Sequence, residues 1–350
     1  MKNGFVSFPV GMNEIIKFLV EKGWIVSIFN IEENELYNPI NYLVNKEIYK
    51  TQYVLSIDTN IFSYIVNAYK ENVSIQEHRI AIALVVFCQF AEIKIEVSLP
   101  VYEKIKFDKV LMNKSLIELD LFCRIDHSPK QETLINFALG RRDNFIINGK
   151  KDVSNSVETM IDWHNKYTKL EEWESTYLII LKLVELSLLK ESNKQKFSFF
   201  MDWLYRDFRY SMVGIFYAFL MFSYSRKKGM MKYKPLASPE KKREQVKNMT
   251  WDLYFMIKYY RRIENKDINE EFLLASNDNV VKFLMKSLID VNNSGDMNNI
   301  KKYLLPKDYE LLEIYDKTLS RTDKRCYQSE SWTYDYMDRL ITHYEEILLI

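Results

Sequence analysis

The segment from Tyr53 to Tyr69, YVLSIDTNIFSYIVNAY, constrains the fold more than any other part of the chain. It starts as a short apolar run that reaches Asp58 and then changes at once to apolar residues at helical spacing. A buried strand that leads directly into a helix is the opening unit of a parallel α/β sheet. We therefore predict an α/β fold, with helices packed on the faces of a parallel sheet.

Segments on both sides of this unit continue the alternation of strands and helices. The N-terminal residues FVSFPV and IVSIFNI predict two strands, with an amphipathic helix between them that ends at Gly23. A strongly apolar helix is predicted from about Gln76 to Glu92, followed by a strand, IKIEVSLP, that Pro100 stops. Further along, EEFLLASND predicts another strand and NVVKFLMKSLID the helix behind it.

The middle of the chain differs in character, because aromatic and aliphatic residues recur there at helical spacing without a fixed repeat. We predict a helical insertion over residues 115–244 that separates an N-terminal α/β part, residues 1–114, from a second α/β part, residues 245–291. Residues 292–350 predict a helical tail. The insertion ends in a basic, polar loop, and Thr250 is the expected N-cap of the next helix.

The overall charge and the cysteines limit the class of protein. Lys and Arg number 49 against 48 Asp and Glu, so a nucleic-acid partner must be met by local basic patches. The 3 Cys are too widely spaced for a metal motif or a disulfide framework. The start of the chain lacks a secretion signal, and the apolar stretch Met212–Phe222 is too short to span a bilayer. We expect a cytoplasmic protein with no membrane partner.

Acidic residues stand where a parallel sheet forms its sites, at the carboxyl ends of strands. Asp58 and Asp278 follow predicted strands, Glu103 lies three residues beyond Pro100, and Asp252 is expected in the first turn of a helix. Clustered carboxylates suit Mg²⁺ or Mn²⁺, which activates a bound water for attack on phosphorus. Because such carboxylates repel one another, one of them should have a raised pKa without the ion.

Four segments resemble the motifs of PIN-domain nucleases: LSIDTNIF, EVSLPVYEKI, WDLYFMIKYYRR and LLASNDNVVKF. The resemblance covers roughly residues 50–110 and 245–290, and it implies a PIN-like sheet of four or five parallel strands. It also implies a Mg²⁺- or Mn²⁺-dependent endonuclease, with RNA favoured over DNA, whose products carry 5′-phosphate and 3′-hydroxyl ends. Such proteins often act as toxins or in RNA processing, so an inhibitor or partner protein, or an antiphage role, is a further expectation.

The resemblance implies a role for each residue of the expected site. Asp58 and Asp252 are expected to bind the metal directly, Glu103 and Asp278 directly or through water, and Asn60 to orient Asp58 or a water. We interpret the basic residues near the end of the insertion as a phosphate track, a row of side chains that binds the nucleic-acid backbone. Tyr224 and Tyr233 are available there to stack on bases. Its members are Arg226, Lys227, Lys228, Lys241, Lys242 and Arg243.

Other interpretations of the same residues remain open. Asp58 and Asp252 taken singly are compatible with helix capping and with the favourable dipole of a first turn. The basic residues taken singly are compatible with ordinary solvated surface. The chain could also be an inactive PIN-like scaffold that binds a partner through its helical part. A haloacid-dehalogenase-type phosphotransferase is disfavoured, because that family has a second Asp where Asn60 stands.

Overall fold

The computed structural model describes residues 8–27, 33–70, 75–105, 109–127, 131–147, 170, 172–321 and 332–350. The chain forms two compact units, each made from two segments. The first unit comprises Met1–Thr168 and Arg261–Asp278, and the second comprises Lys169–Tyr260 and Asn279–Ile350. The segment predicted as one helical insertion, residues 115–244, is divided between them.

The first unit contains a sheet of four strands among the described residues, in the order β1-β4-β2-β3. The strands are Ile25–Ser27 (β1), Gln52–Ile57 (β2), Lys94–Glu96 (β3) and Glu270–Ala275 (β4). β2 is parallel to both β3 and β4, as predicted, but β1 is antiparallel to β4. The prediction of an all-parallel sheet is therefore wrong at this edge. A three-residue apolar strand carries no signal for its direction, and an antiparallel edge strand is a common addition to parallel sheets.

Helices enclose the sheet of the first unit, and α5 is the most deeply buried of them. Every residue from Ile80 to Cys88 of this helix is buried, and it ends at Glu92 with a left-handed backbone (φ 54°), close to the prediction. The alternate residues Tyr53, Leu55 and Ile57 of β2 belong to the same apolar core. The helices are Met12–Lys22 (α1), Glu33–Leu36 (α2), Pro39–Tyr49 (α3), Thr59–Lys70 (α4), Gln76–Ala91 (α5), Ser98–Ile105 (α6), Lys109–Asp126 (α7) and Gln131–Ala138 (α8).

Two predicted strands of the first unit are shorter or absent. Residues 8–10 of FVSFPV are not a strand, and its first three residues lie outside the described ranges. The strand predicted up to Pro100 ends at Glu96, because helix α6 already begins at Ser98. Proline is tolerated in the first turn of a helix, where its missing N–H has no intrahelical partner to lose. Glu103 therefore lies within helix α6.

The second unit is helical throughout its described residues. Its long helix α12 begins at Pro239, so the predicted loop ends at Ser238. Thr250 is not an N-cap: it is buried in the middle of α12, where its hydroxyl donates to the carbonyl of Val246 (2.8 Å). The helices are Trp173–Leu188 (α9), Asn193–Arg206 (α10), Met212–Phe222 (α11), Pro239–Glu264 (α12, assigned to the first unit from Arg261), Asn279–Ser294 (α13), Glu310–Leu319 (α14) and Tyr334–Leu348 (α15), with 3₁₀ turns at Met297–Tyr303 and Pro306–Asp308.

None of the described helices is both long enough and apolar enough to cross a lipid bilayer.

Candidate functional site

Asp58 stands at the carboxyl end of β2, where the chain enters helix α4. Its Oδ1 accepts a hydrogen bond from the backbone N–H of Ile61 (2.8 Å), so the side chain caps α4. Its Oδ2 accepts a hydrogen bond from the hydroxyl of Ser276 (2.5 Å), beyond the end of β4. Both carboxylate oxygens are thus fixed, one by its own helix and one by the neighbouring strand.

The pKa of Asp58 is raised to about 6, and burial of the carboxyl group is the largest cause. Hydrogen bonds from Ser276 and from the backbones of Ile61 and Asn277 act in the opposite direction and lower the pKa. The negative charge of Asp278 raises it further. The sequence predicted one raised pKa from repulsion among the acids, whereas burial is the larger cause in the structure.

Ser276 connects two of the predicted acids. Its hydroxyl oxygen accepts a hydrogen bond from the backbone N–H of Asp278 (3.0 Å) while the hydroxyl donates to Asp58. Ser276 is fully buried, and its own N–H donates to the carbonyl of Trp24 (3.0 Å). Asp58 and Asp278 therefore lie on either side of one buried hydroxyl.

Glu103 reaches the same edge of the sheet from helix α6. Its Oε2 accepts a short hydrogen bond from the hydroxyl of Thr59, the residue that follows Asp58. Glu103, like Asp278, is half-buried. The first unit thus brings together three of the four predicted acids, which come from three distant segments of the chain.

Asn60 contacts this cluster through a neighbouring amide. Its Nδ2 donates to Oδ1 of Asn277 (3.4 Å), and Nδ2 of Asn277 donates to the hydroxyl of Tyr64 (3.1 Å). Thr59, Ser276 and Asn277 were not predicted as site residues. Their positions within two residues of Asp58 or Asp278 in the sequence were the available signal.

Asp252 belongs to the second unit, unlike the other three acids. It lies in the middle of helix α12 and not in a first turn, because the helix begins at Pro239. Its carboxylate forms a short ion pair with Lys232.

The cluster of Asp58, Glu103 and Asp278 has oxygen donors that could bind a divalent ion. Its donors are carboxylate, hydroxyl and amide oxygens, the ligand chemistry that hard cations such as Mg²⁺ and Mn²⁺ prefer. In their present orientations, however, no three His, Cys, Asp or Glu residues within the described ranges are close enough together to hold one ion. The donor chemistry fits a divalent cation, whereas the orientations are not those of a preformed three-ligand site.

The predicted phosphate track lies in the second unit, and several of its residues have partners there. Lys241 pairs with Glu244 (2.7 Å), Lys242 donates to the carbonyl of Ile350 (2.9 Å), and the Lys227 ammonium lies 4.4 Å from the centre of the Phe283 ring. Arg226 and Lys228 lie in the turn after α11, and Arg243 lies in the first part of α12.

The two tyrosines expected to stack on bases differ in exposure. Tyr233 is buried, and its hydroxyl donates to the carbonyl of Leu348 (2.6 Å), so the prediction that it is available for stacking is wrong. Tyr224 is 60% exposed, with the ammonium of Lys307 3.7 Å from its ring centre.

The protein thus consists of a mixed α/β unit that carries an acidic cluster at the carboxyl ends of parallel strands, and of a helical unit. Comparison of the chain with protein-family models, with curated proteins and with solved structures found no match.

Proposed function

We propose that this protein is a metal-dependent endonuclease that hydrolyses phosphodiester bonds, with RNA favoured over DNA, and that Asp58, Glu103 and Asp278 form the core of its site. The observation that supports the proposal is the meeting of these acids at the carboxyl edge of β3, β2 and β4. Two hydroxyl groups, those of Thr59 and Ser276, link them. Sites of α/β sheets form at this edge.

The raised pKa of Asp58 is a second support for an active centre. Perturbed carboxyl groups concentrate at functional sites, where burial and nearby like charges disfavour ionisation. A bound Mg²⁺ or Mn²⁺ supplies an activated water and offsets negative charge at phosphorus. The protein itself supplies orientation: Ser276 fixes one oxygen of Asp58, and Thr59 fixes one oxygen of Glu103.

Cation binding requires a local change in this arrangement. Glu103 and Asp278 are half-buried, and their carboxylates must turn toward Asp58 before the three can share one ion. Cation binding favours the ionised form of Asp58, and protons compete with the ion for that carboxylate. Binding should therefore weaken as the pH falls below about 6.

The test is cleavage of a single-stranded RNA and of a hairpin RNA by the purified protein in Mn²⁺, with EDTA as the blank. We expect the wild type to cut and Asp58→Asn and Asp278→Asn to lose at least a hundredfold in rate, the scale of a lost electrostatic group in an active site. Asp143→Asn is the matched control, because Asp143 is an exposed carboxylate of the same unit. Equal cutting by wild type and Asp58→Asn would assign the activity to a contaminant.

Asp252 was predicted as the fourth acid, and its substitution tests that prediction. Loss of cleavage in Asp252→Asn would include it in the site, and retained cleavage would restrict it to the ion pair with Lys232. The inactive-scaffold alternative has its own signature. A scaffold without a metal site gains no thermal stability from Mn²⁺, whereas an ion that binds only the folded state raises the melting temperature.

A further inference from the structure

Arg262 is anchored to the same sheet that carries Asp58. It lies in the last turn of α12, in the part assigned to the first unit. Its Nη1 donates to Oγ of Ser56 (3.1 Å) and to Oε2 of Glu96 (2.8 Å). Ser56 and Glu96 are register partners on the parallel strands β2 and β3. The guanidinium therefore rests on one face of the sheet, across two adjacent strands.

Asp58 lies on that same face. Side chains two residues apart along a strand point to the same side, and they are separated by about 6.6 Å. Ser56 and Asp58 have this spacing, and β4 follows the same register, with Leu274 opposite Ser56. The hydrogen bond between Ser276 and Asp58 agrees with this placement, since Ser276 is two residues beyond Leu274. Arg262 is thus held beside the acidic cluster.

The anchor of Arg262 is itself fixed. Oε1 of Glu96 accepts hydrogen bonds from the backbone N–H of Ser98 (2.8 Å) and from its hydroxyl, at the start of helix α6. The Arg262 side chain remains 32% exposed. Both of its hydrogen bonds to described residues come from Nη1, whereas a guanidinium has five N–H donors in a planar fork. The other donors can therefore meet an anion that approaches from solvent.

An acidic cluster repels the phosphodiester that it is proposed to cut. A fixed cation next to the cluster offsets that repulsion, and Arg is suited to it because its fork matches two oxygens of one phosphate. We propose that Arg262 is a phosphate-contact residue that holds the RNA backbone beside Asp58. This inference rests on the proposed function, because it assigns a binding group to the same site. Glu96 and Ser56 position the guanidinium.

The test measures binding without cleavage. A fluorescein-labelled U12 oligoribonucleotide is titrated with protein in EDTA at pH 7.5, over a series of salt concentrations, and the anisotropy is recorded. We expect wild-type binding to weaken severalfold in Arg262→Gln, with the slope of log K against log salt reduced in magnitude by about 0.7 for one lost phosphate contact. Arg261→Gln is the matched control, because it removes the same charge from the exposed neighbouring position.

A second variant guards against a folding defect in Arg262→Gln. Glu96→Gln keeps the arginine and removes the negative charge paired with it, so we expect tighter U12 binding than in the wild type. The gain should exceed that of Glu14→Gln, which removes an exposed carboxylate of the same unit and so measures the effect of net charge alone. Undetectable wild-type binding, an unchanged affinity in Arg262→Gln, or an equal loss in Arg261→Gln would each overturn the proposal.

Cleavage assays in Mn²⁺ separate this inference from the proposed function. If the wild type binds U12 through Arg262 but cuts no RNA, the phosphate contact stands and the hydrolytic function fails. If the wild type cuts RNA but the affinity for U12 is unchanged in Arg262→Gln, the proposed function stands and this inference fails.

Discussion

Replacing Asp58 with Asn should make the protein gain stability, relative to the wild type, as the pH rises. The pKa of Asp58 is raised from 3.8 to about 6 in the folded protein, and burial is the main cause. A group whose pKa is higher in the folded state binds its proton more tightly there. The associated stability is fully present below pH 3.8 and is lost as the pH rises through 6. Asparagine carries no ionisable group and avoids that loss.

The size of the effect follows from the shift in pKa. A shift of roughly two units at about 1.36 kcal/mol per unit corresponds to about 3 kcal/mol. The difference in the free energy of unfolding between Asp58→Asn and the wild type should therefore move by about 2–3 kcal/mol in favour of the variant between pH 4 and pH 8, because the unfolded chain is already partly ionised at pH 4. Changes in hydrogen bonding to Ser276 and Ile61 add a constant offset, which does not affect this pH dependence.

The assay is urea unfolding in EDTA at several pH values, followed by circular dichroism. Because the chain forms two compact units, native-state hydrogen exchange of amides in β2 and α4 should accompany it and isolate the first unit. Asp143→Asn controls for loss of a surface charge in the same unit, and we expect it to show a smaller pH dependence. If the difference in the free energy of unfolding between Asp58→Asn and the wild type did not change with pH, the claim that burial raises the pKa of Asp58 would be refuted.

Three further predictions follow from described contacts. Mn²⁺ should raise the melting temperature of the wild type at pH 7.5, and most of this increase should be lost below pH 6. Mn²⁺ should have little effect on the melting temperature of Asp58→Asn. Equal stabilisation of both proteins would contradict a site at Asp58. Ser276→Ala should raise the pKa of Asp58, measured by carboxyl ¹³C NMR, because the hydrogen bond from the Ser276 hydroxyl lowers that pKa. A lower pKa of Asp58 in the variant would contradict this role of Ser276. Glu118→Gln should destabilise the protein by about 1–3 kcal/mol in urea unfolding, because Glu118 is 5% exposed and binds Lys70 and Lys104. A loss no larger than that of Glu14→Gln, at an exposed pair, would show that this ion pair adds nothing.

The sequence predicted the elements whose apolar pattern is continuous. The strand that ends at Asp58 and the buried helix α5 were found within one or two residues of their true ends, because each has a clear period and a clear stop. The predicted ends of helices were wrong where the residues are compatible with both a loop and a helix. The residues from Pro239 to Asn248 were assigned to a loop for their charge, yet Glu, Lys, Arg and Gln are good helix formers, and Pro is favoured at a helix start.

The clustering of three acids could be predicted from the sequence, but the groups that bind them could not. Asp58, Glu103 and Asp278 were named because strand ends meet at one edge of a parallel sheet. The hydrogen bond from Ser276 to Asp58 depends on the register between β2 and β4, two strands more than 200 residues apart in sequence (52 and 270 at their first residues), which no local pattern encodes. Asp252 was expected in a first turn because the start of α12 was misplaced.

The position of β4 between β1 and β2 bears on how the molecule is made. A nascent chain emerges from the ribosome with Asp58 and Glu103 long before residues 270–278 exist. Until those residues are added, the inner place of the sheet has no strand, and Ser276 is not there to bind Asp58. Truncated translation products and early folding intermediates therefore lack the assembled centre. The acidic cluster is therefore completed only after residues 270–278 have been synthesised and have taken their place in the sheet.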